Sequence, residues 1–472
     1  MTLADSEQPF RLFELSVEKS PEATALVTSQ ASFTYRELYN AAIAAATYLG
    51  SLGLSQGDSY LFSGNQELLP PLILANWYSG LTLISASPGR LDYDFASPKV
   101  HLTTGGADEQ SARHIRPDAF AVAVKENPRP EFRGYLERES ISQVFFTKGT
   151  TGTPKALGFP VHLMSPRAEA TLEVAMKSPK HLSAFGLATM QGSNTFLASM
   201  SRGMKYFLPG TPTYNARLIA NYQIGSLLGS PNQVSLLLLE AEGGNHNLSS
   251  LRAVQVTGTS PDKTLRQRCS RLLGFGPDVQ FGSSETGAVA VQLAGEHAEY
   301  QIGQVMEWAE IAILDESEAP ALPFETGRMA IRSRNQIDRY LSGEGPVSTG
   351  ENGWFYPGDQ GRMNDVGDIT ILPRNDDRLN VGGQKFSKSS VEAWFTESLG
   401  IQCVAASLVM KQGPTLAVFL EGKVTDPEMI QKEFSAAHSG VPHLFLASIQ
   451  KLPRNELGII EISSLINRLL AL

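Results

Sequence analysis

Apolar helical segments and apolar strand segments alternate along the first third of the chain, and few folds accommodate that alternation. Tyr35 to Gly53 has apolar residues at helical spacing and ends at glycine, which predicts a helix with its stop signal. Glu67 to Gly80 predicts a second helix, while Ser59 to Ser63 and Leu81 to Ser85 predict strands. Because strands that alternate with helices form largely parallel sheets covered by helices, we expect a layered α/β domain.

The pattern changes twice further along the chain. Between Ile311 and Tyr356, short strands with turn residues predict a small β-subdomain. From Arg374 onwards, a block of about a hundred residues has the size of a separate domain. This block mixes predicted strands and helices, at Val404 to Val409, Thr415 to Leu420, Ser389 to Leu399 and Asp426 to Ala437.

The polar, proline-marked turn from Pro373 to Asp377 lies between two apolar runs and marks a domain boundary. We therefore predict a large N-terminal domain of layered α/β subdomains plus a β-subdomain over residues 1–373. A hinge at 374–377 and a small α+β C-terminal domain over 378–472 follow. A length of 472 residues agrees with two or three domains.

Composition narrows the classes of function. A chain with 42% hydrophobic and 18% charged residues is typical of folded proteins. A formal net charge of −9 argues against a general nucleic-acid or anionic-membrane binder, because both need a positive field. Met1 to Phe10 lacks a signal-peptide pattern, and no window approaches the ~20 apolar residues of a membrane span. Cys269 and Cys403 lack metal-ligand spacing and are expected to be buried. We expect a cytoplasmic protein.

A glycine-rich loop, TKGTTGTPK at residues 147–155, follows the predicted buried strand Val144 to Phe146. Backbone N–H groups and hydroxyls of such a loop can surround phosphate oxygens, and its lysine supplies a point charge. A nucleotide-kinase loop is excluded, because that motif needs Gly-Lys-Ser/Thr followed at once by a helix. Here Pro154 precedes Lys155, and Leu157 to Val161 is expected to be extended. A plain hairpin turn remains the alternative for this loop taken alone.

The loop resembles the phosphate loop of the adenylate-forming superfamily, which comprises acyl-CoA synthetases, peptide-synthetase adenylation domains and luciferases. Five further segments resemble that superfamily's motifs in the same order: FTYREL at 33–38, FGSSETG at 281–287, GWFYPGD at 353–359, RNDDRLNVGG at 374–383 and LPRNELG at 452–458. The layout is similar to that of stand-alone adenylation enzymes. The resemblance implies a ligase that uses ATP and Mg²⁺ to activate a carboxylic acid as acyl-AMP and then transfers the acyl group to a thiol.

The resemblance also implies roles for the phosphate loop and for FGSSETG. The leaving phosphates would be surrounded by Thr147, Gly149, Thr150, Thr151, Gly152 and Lys155. Glu285 would bind Mg²⁺, because a hard cation prefers a carboxylate oxygen beside phosphate oxygens. Ser284 would hydrogen-bond the α-phosphate, and Phe281 would stack on adenine beside Gly282 and Ser283. The alternatives are a solvated turn for Glu285 and plain strand core for Phe281.

Three further motifs resemble nucleotide-binding segments of the superfamily. Asp359 would accept hydrogen bonds from the ribose hydroxyls, and Arg374 would also reach the ribose. The loop 257–261 (TGTSP) would form a wall around adenine through Thr257, Gly258 and Ser260, with Thr257 also facing the substrate. An ordinary strand-to-helix turn is the alternative for that loop.

The hinge motif implies a moving C-terminal domain. Asp376 corresponds to the hinge residue about which this domain swings between an adenylating and a thioester-forming pose. Gly383 would line the tunnel that admits the thiol, where a side chain would obstruct the backbone's close approach. A simple turn glycine is the alternative for Gly383.

One departure from the superfamily pattern bears on catalysis. The superfamily's terminal lysine, which bridges the substrate carboxylate and the α-phosphate, is replaced here by Ile459. One interpretation is a catalytically impaired binding or regulatory protein that keeps the fold. The other is compensation by Lys148, which stands where the superfamily usually has serine. The alternative for Lys148 is a solvated side chain.

The substrate and the acceptor are constrained less tightly. Aligning Met190 and Gln191 with the superfamily's acid pocket leaves no carboxylate to pair with a substrate ammonium, so an uncharged aryl or short aliphatic acid is favoured. The sequence contains no carrier-protein segment, so the expected thiol belongs to a separate acyl or peptidyl carrier protein or to coenzyme A. The resemblance to stand-alone adenylation enzymes of secondary metabolism favours the carrier protein. An amine acceptor remains open.

Overall fold

The structure is a computed structural model. It describes residues 8–85, 98–104, 113–114, 136–147, 155–244, 246–261, 263–295, 301–341, 347, 353–372, 378–381, 384–399, 401–410, 413–423, 426–437, 443–453, 462, 465–466 and 469. Among these residues, no helix combines the length and apolar character needed to cross a bilayer.

The chain divides into two compact units. The first comprises Met1–Ala312, Ala330–Pro357 and Gly367–Ile369, and the second comprises Ile313–Met329, Gly358–Val366 and Thr370–Leu472. The predicted hinge, residues 374–377, lies outside the described residues. The hinge and the domain boundary at residue 373 therefore stay predictions.

The helices of the first unit are α1 (Pro9–Lys19), α2 (Tyr35–Ser51), α3 (Leu69–Ser79), α4 (Val161–Val174), α5 (Met190–Ser201), α6 (Pro212–Tyr222), α7 (Pro231–Glu242) and α8 (Lys263–Leu273). The two helices predicted from apolar spacing are confirmed as α2 and α3. Thr34 and Glu37 form a capping box that starts α2. Gly80 ends α3 with a left-handed φ of 70°, a conformation that costs glycine little.

One sheet of the first unit has six strands in the order β6–β5–β3–β4–β7–β8. A small sheet, ordered β10–β1–β2, accompanies it. Their strands are β1 (Thr24–Val27), β2 (Ser32–Thr34), β3 (Ser59–Ser63), β4 (Thr82–Ser85), β5 (Val100–Thr103), β6 (Arg113–His114), β7 (Ile141–Thr147), β8 (Lys155–Pro160) and β10 (Tyr206–Phe207). Strands β3 to β7 pair in parallel, whereas β8 pairs antiparallel with β7.

A second six-stranded sheet has the order β15–β14–β13–β12–β11–β9. Its strands are β9 (His181–Ser183), β11 (Ser226–Gly229), β12 (Ala253–Thr257), β13 (Asp278–Ser283), β14 (Gly287–Gln292) and β15 (Gln304–Val305). Strands β9 to β13 pair in parallel, and β14 then pairs antiparallel with β13. Both sheets therefore end their parallel part at an antiparallel strand pair, and the sequence between the strands of each pair contains predicted site residues. The predicted α/β class is confirmed.

Short strands follow, but only β17 and most of β16 lie in the predicted region from Ile311 to Tyr356, and two further strands lie beyond it. A four-stranded sheet has the order β16–β17–β18–β19, formed by β16 (Ala309–Leu314), β17 (Gly327–Ser333), β18 (Gln360–Met363) and β19 (Ile369–Leu372). Within the second unit, Gly327 pairs antiparallel with Gly361.

The remaining elements of the second unit form a small α+β arrangement. They are β20 (Arg378–Val381), β21 (Gln384–Ser387), α9 (Lys388–Leu399), β22 (Cys403–Met410), β23 (Gly413–Glu421), α10 (Pro427–Ala437) and β24 (Leu444–Ile449). Strands β22, β23 and β24 form one sheet, and Phe395 and Phe434 stack in the core beside it, with ring centroids 4.9 Å apart. The predicted strands and helices of this block are confirmed.

Both cysteines are buried and free, as expected. Burial raises the pKa of each thiol to about 12, so neither forms a reactive thiolate near neutral pH. Cys269 packs in the core of the second six-stranded sheet.

Candidate active site

The predicted phosphate loop connects β7 and β8. Thr147 is the last residue of β7 and pairs directly with Lys155, the first residue of β8. The chain after Lys155 is therefore extended, which confirms that this loop differs from the loop-to-helix phosphate site of nucleotide kinases.

Several predicted site residues lie outside the described residues, so their roles stay predictions. They are Lys148, Gly149, Thr150, Thr151, Gly152, Arg374, Asp376, Gly383 and Ile459.

The second predicted segment, FGSSETG, forms the tight turn between β13 and β14. Ser283 pairs with Gly287 across the hairpin, and Ser284, Glu285 and Thr286 make the turn. A Cβ on Gly282 would lie 2.2 Å from the carbonyl oxygen of Gly287, so only glycine allows this close approach. The backbone N–H of Thr286 donates to the hydroxyl of Ser283 at 3.2 Å and stiffens the turn.

Glu285 is buried although it lies at the tip of this turn, with 9% of its surface exposed. Its carboxylate Oε1 accepts a hydrogen bond of 3.0 Å from the hydroxyl of Tyr340. In the described part of the chain, no lysine, arginine or histidine forms an ion pair with this carboxylate. The charge of the buried Arg167 interacts with Glu285, but its guanidinium bonds the backbone carbonyl of this residue and forms no ion pair with the carboxylate. A buried carboxylate that lacks a direct ion pair is costly, and binding of a cation would offset that cost.

The turn at residues 284–286, which contains Glu285, is called the acid turn below. Arg167 of α4 holds its backbone in place. Its guanidinium donates to the carbonyl oxygens of Ser284 at 2.9 Å, Glu285 at 2.8 Å and Asn335 at 2.6 and 2.9 Å. The side chain is fully buried, which lowers its pKa to about 10, and the nearby charge of Glu285 opposes that shift. Arg167 therefore stays protonated at neutral pH. Its sequence context resembles that of an exposed helix arginine, which is why the sequence did not reveal it.

The segment from Asn335 to Leu341 connects the acid turn to β8. The N–H of Ile337 donates to the carbonyl of Glu285 at 2.8 Å, and the N–H of Leu341 donates to the carbonyl of Ala156 at 2.8 Å. Tyr340, near the end of this segment, places its ring 4.7 Å from the Nζ of Lys155. The structure thus brings Lys155 to the ring and Glu285 to the hydroxyl of one tyrosine, which the sequence did not single out.

The residues predicted to surround adenine lie at the carboxyl ends of neighbouring parallel strands. Thr257 ends β12 and pairs with Gln280, which precedes Phe281 on β13. Gly258 follows Thr257 with a φ of +94°, and Ser260 is exposed in the same loop. Phe281 is half-buried, so part of its ring is available for a ligand. Ligands of open α/β sheets bind at this edge.

Asp359 belongs to the second unit. It is buried, with 6% of its surface exposed, and its carbonyl accepts the N–H of Met329 at 2.9 Å. Asp359 ends the predicted motif GWFYPGD immediately before β18.

The two residues predicted for the acid pocket begin α5. Thr189 caps this helix by accepting the N–H of Gly192 at 3.1 Å. Met190 is buried and Gln191 is half-buried. One turn further along, the hydroxyl of Ser193 donates to the side-chain oxygen of Gln143 on β7. The predicted acid pocket is therefore attached to the strand that leads into the phosphate loop.

We expect Arg167→Lys to destabilise the first unit by about 2 to 4 kcal/mol, because one ammonium cannot replace the donors of the guanidinium at three buried carbonyls. Urea unfolding followed by tryptophan fluorescence measures this change. Arg332→Lys is the matched control: Arg332 is an exposed arginine beside Glu310 and the ring of Trp354, and its replacement should cost no more than about 0.5 kcal/mol. Equal stability of the two variants would show that Arg167 does not anchor the turn.

Several known proteins resemble this chain in sequence or in fold. A 2-succinylbenzoate–CoA ligase of Bacillus velezensis is 25% identical over 406 residues, covering 82% of each chain. The structure of the anthranilate CoA ligase AuaEII with anthranoyl-AMP has a TM-score of 0.81, 17% identity and complete coverage of both chains. That of the Bacillus subtilis o-succinylbenzoate CoA synthetase with its acyl-adenylate intermediate OSB-AMP has a TM-score of 0.78, 19% identity and coverage of 96% of this chain and 97% of that one. The sequence model of the AMP-binding enzymes matches residues 13–341, well over half of the chain. The chain is a member of the AMP-binding enzyme family.

Proposed function

We propose that this protein is an acid–thiol ligase, which uses ATP to convert a carboxylic acid to its acyl-AMP and then transfers the acyl group to a thiol. The observation that carries the proposal is the convergence of Lys155 and Glu285 on Tyr340, at the two turns where the parallel sheets end. A cation and a carboxylate in this arrangement suit a metal-bound triphosphate.

Enzymes of this family use ATP with Mg²⁺. The residues present fit such a metal, because the buried Glu285 carboxylate accepts a hydrogen bond from Tyr340, whereas the nearby Arg167 guanidinium bonds backbone carbonyls rather than the carboxylate. No group of three or more His, Cys, Asp or Glu side chains forms a metal cage in that same part of the chain. Mg²⁺ typically takes one or two carboxylates and fills its shell with phosphate oxygens and water. The metal would neutralise phosphate charge as pyrophosphate departs.

The chain's own residues would align two anions and stabilise the leaving group. A carboxylate oxygen of the acid forms a bond to the α-phosphorus while the bond from that phosphorus to the bridging oxygen breaks, which releases pyrophosphate. Lys155 would contact the leaving phosphates together with Thr147, Thr150 and Thr151, and Ser284 would donate to the α-phosphate. In the second step the thiol sulfur, after losing its proton, attacks the acyl carbonyl carbon and AMP leaves.

The nucleotide's other parts would be held by residues assigned from the motifs. Adenine would stack on the half-buried ring of Phe281 beside Thr257 and Gly258, and Asp359 would accept the ribose hydroxyls with Arg374 nearby. The change between the two steps would use the hinge at Asp376, and Gly383 would line the path of the thiol.

An uncharged aryl or short aliphatic acid is the favoured substrate. Helix α5, which begins with Met190 and Gln191, contains no acidic residue to pair with a substrate ammonium. The amide nitrogens of Gln191 and Gln143 are buried without a hydrogen-bond partner among the described residues. Buried donors normally find an acceptor, which supports an acyl group that carries an oxygen acceptor.

The acceptor thiol is better matched by coenzyme A than by a carrier protein. The named relatives are CoA ligases that act on 2-succinylbenzoate or anthranilate. The alternative of a separate carrier protein rests on the stand-alone layout of the sequence alone.

A second candidate function is a catalytically impaired binding or regulatory protein. Ile459 favours it, because an aliphatic side chain cannot stabilise the charge that the superfamily's terminal lysine would meet. The intact set of Lys155, Glu285 and Asp359 favours the enzyme, and Lys148 offers a replacement charge near the phosphates.

The decisive test is ATP–pyrophosphate exchange with a panel of aryl and short aliphatic acids, including 2-succinylbenzoate and anthranilate. We expect exchange with at least one acid whose acyl group is uncharged. The exchange rate should fall about a hundred-fold in Glu285→Gln, because the carboxylate that would bind the metal is removed. Glu310→Gln, at an exposed site, should match the wild type. Silence with every acid, together with measurable ATP binding, would favour the impaired protein.

If Lys148 compensates for Ile459, Lys148→Ser should abolish pyrophosphate release, since the charge of the superfamily's terminal lysine would then have no replacement. The double variant Lys148→Ser/Ile459→Lys should restore it. The same exchange assay measures both variants, and wild-type activity in Lys148→Ser would contradict the compensation.

A further inference from the structure

We propose that Tyr340 is a positioning residue. It fixes the position of the carboxylate that would bind the metal and of the lysine that would bind the phosphates. Its hydroxyl bonds Glu285 and its ring faces Lys155. This inference rests on the proposed function, in which Glu285 binds the metal and Lys155 the phosphates.

The hydroxyl group acts on Glu285. It donates to Oε1 at 3.0 Å and so restricts the rotation of the carboxylate that would bind the metal. Groups that hydrogen-bond a metal ligand orient it, and their loss commonly weakens metal binding by about ten- to a hundred-fold.

The aromatic ring acts on Lys155. The Nζ lies 4.7 Å from the ring centroid, within the range of a cation–π contact. This contact restricts a flexible four-carbon side chain at the start of β8, immediately after the phosphate loop. A restrained ammonium loses less conformational entropy when it meets a phosphate.

The backbone explains why Tyr340 can reach both groups. Its segment is attached to the acid turn through Ile337 and to β8 through Leu341, and Tyr340 itself pairs with Leu157. With both ends fixed by hydrogen bonds of 2.8 Å, the tyrosine spans a set distance between two strand pairs. The hydroxyl and the ring therefore have separable effects, on the metal and on the phosphate lysine respectively.

Calorimetric titration with α,β-methylene ATP, in Mg²⁺ and in EDTA, separates these effects. We expect Tyr340→Phe to reduce the Mg²⁺-dependent gain in affinity about ten-fold while the affinity in EDTA stays within two-fold. Tyr340→Leu should show the same loss and also bind the analogue about two- to five-fold more weakly in EDTA, because Lys155 loses its ring.

Tyr222→Leu is the matched control, since Tyr222 holds Lys205 at 5.2 Å in a similar contact elsewhere in the unit. It should leave both affinities unchanged. In a Glu285→Gln background, Tyr340→Phe should cause no further loss of the Mg²⁺-dependent affinity, because the carboxylate that the hydroxyl positions is already absent. This second comparison keeps the proposal testable if one of the single variants folds poorly.

Two results overturn the proposal: wild-type affinities in Tyr340→Phe, or equal losses with and without Mg²⁺, which indicate a structural role only. Failure of the wild-type protein to bind the analogue with Mg²⁺ would instead refute the proposed function. The two failures are thus distinguishable.

Discussion

Burial of the Glu285 carboxylate is the constraint around which the candidate site is organised. A carboxyl group loses hydration when nine-tenths of its residue is buried, and the nearby Arg167 bonds the backbone of Glu285 rather than its carboxyl group. The surroundings keep the turn in this state through other contacts. Arg167 binds the carbonyls of the turn, and Tyr340 bonds the carboxylate itself. These contacts restrict the orientation of the carboxylate.

The fold produces this arrangement by repeating one feature in both six-stranded sheets. In each six-stranded sheet, parallel strands give way to an antiparallel neighbour, and predicted site residues lie at that strand pair. Helix α4 leaves β8 of the first sheet and delivers Arg167 to the turn of the second. The segment ending at Leu341 returns from the second turn to β8. These two connections link the two strand pairs in opposite directions.

Much of the fold was predictable because it depends on local patterns. Apolar periodicity predicted α2, β3 and α3 to within a few residues, since each element buries one face. The motifs likewise placed Lys155 and Glu285 at strand ends. Arg167 and Tyr340 were missed because their roles depend on partners 118 and 55 residues away. No local signal distinguishes a buried anchoring arginine from a solvated one, and only the strand order brings these partners together.

The most direct measurement is a crystal structure of the protein with an ATP analogue and Mn²⁺, with the metal located by its anomalous scattering. The account predicts a metal in direct contact with a Glu285 carboxylate oxygen, Lys155 on the triphosphate, and the Tyr340 hydroxyl still bonded to the same carboxylate. A metal and triphosphate bound away from Glu285, or a Glu285 carboxylate that contacts only protein atoms in that complex, would contradict it.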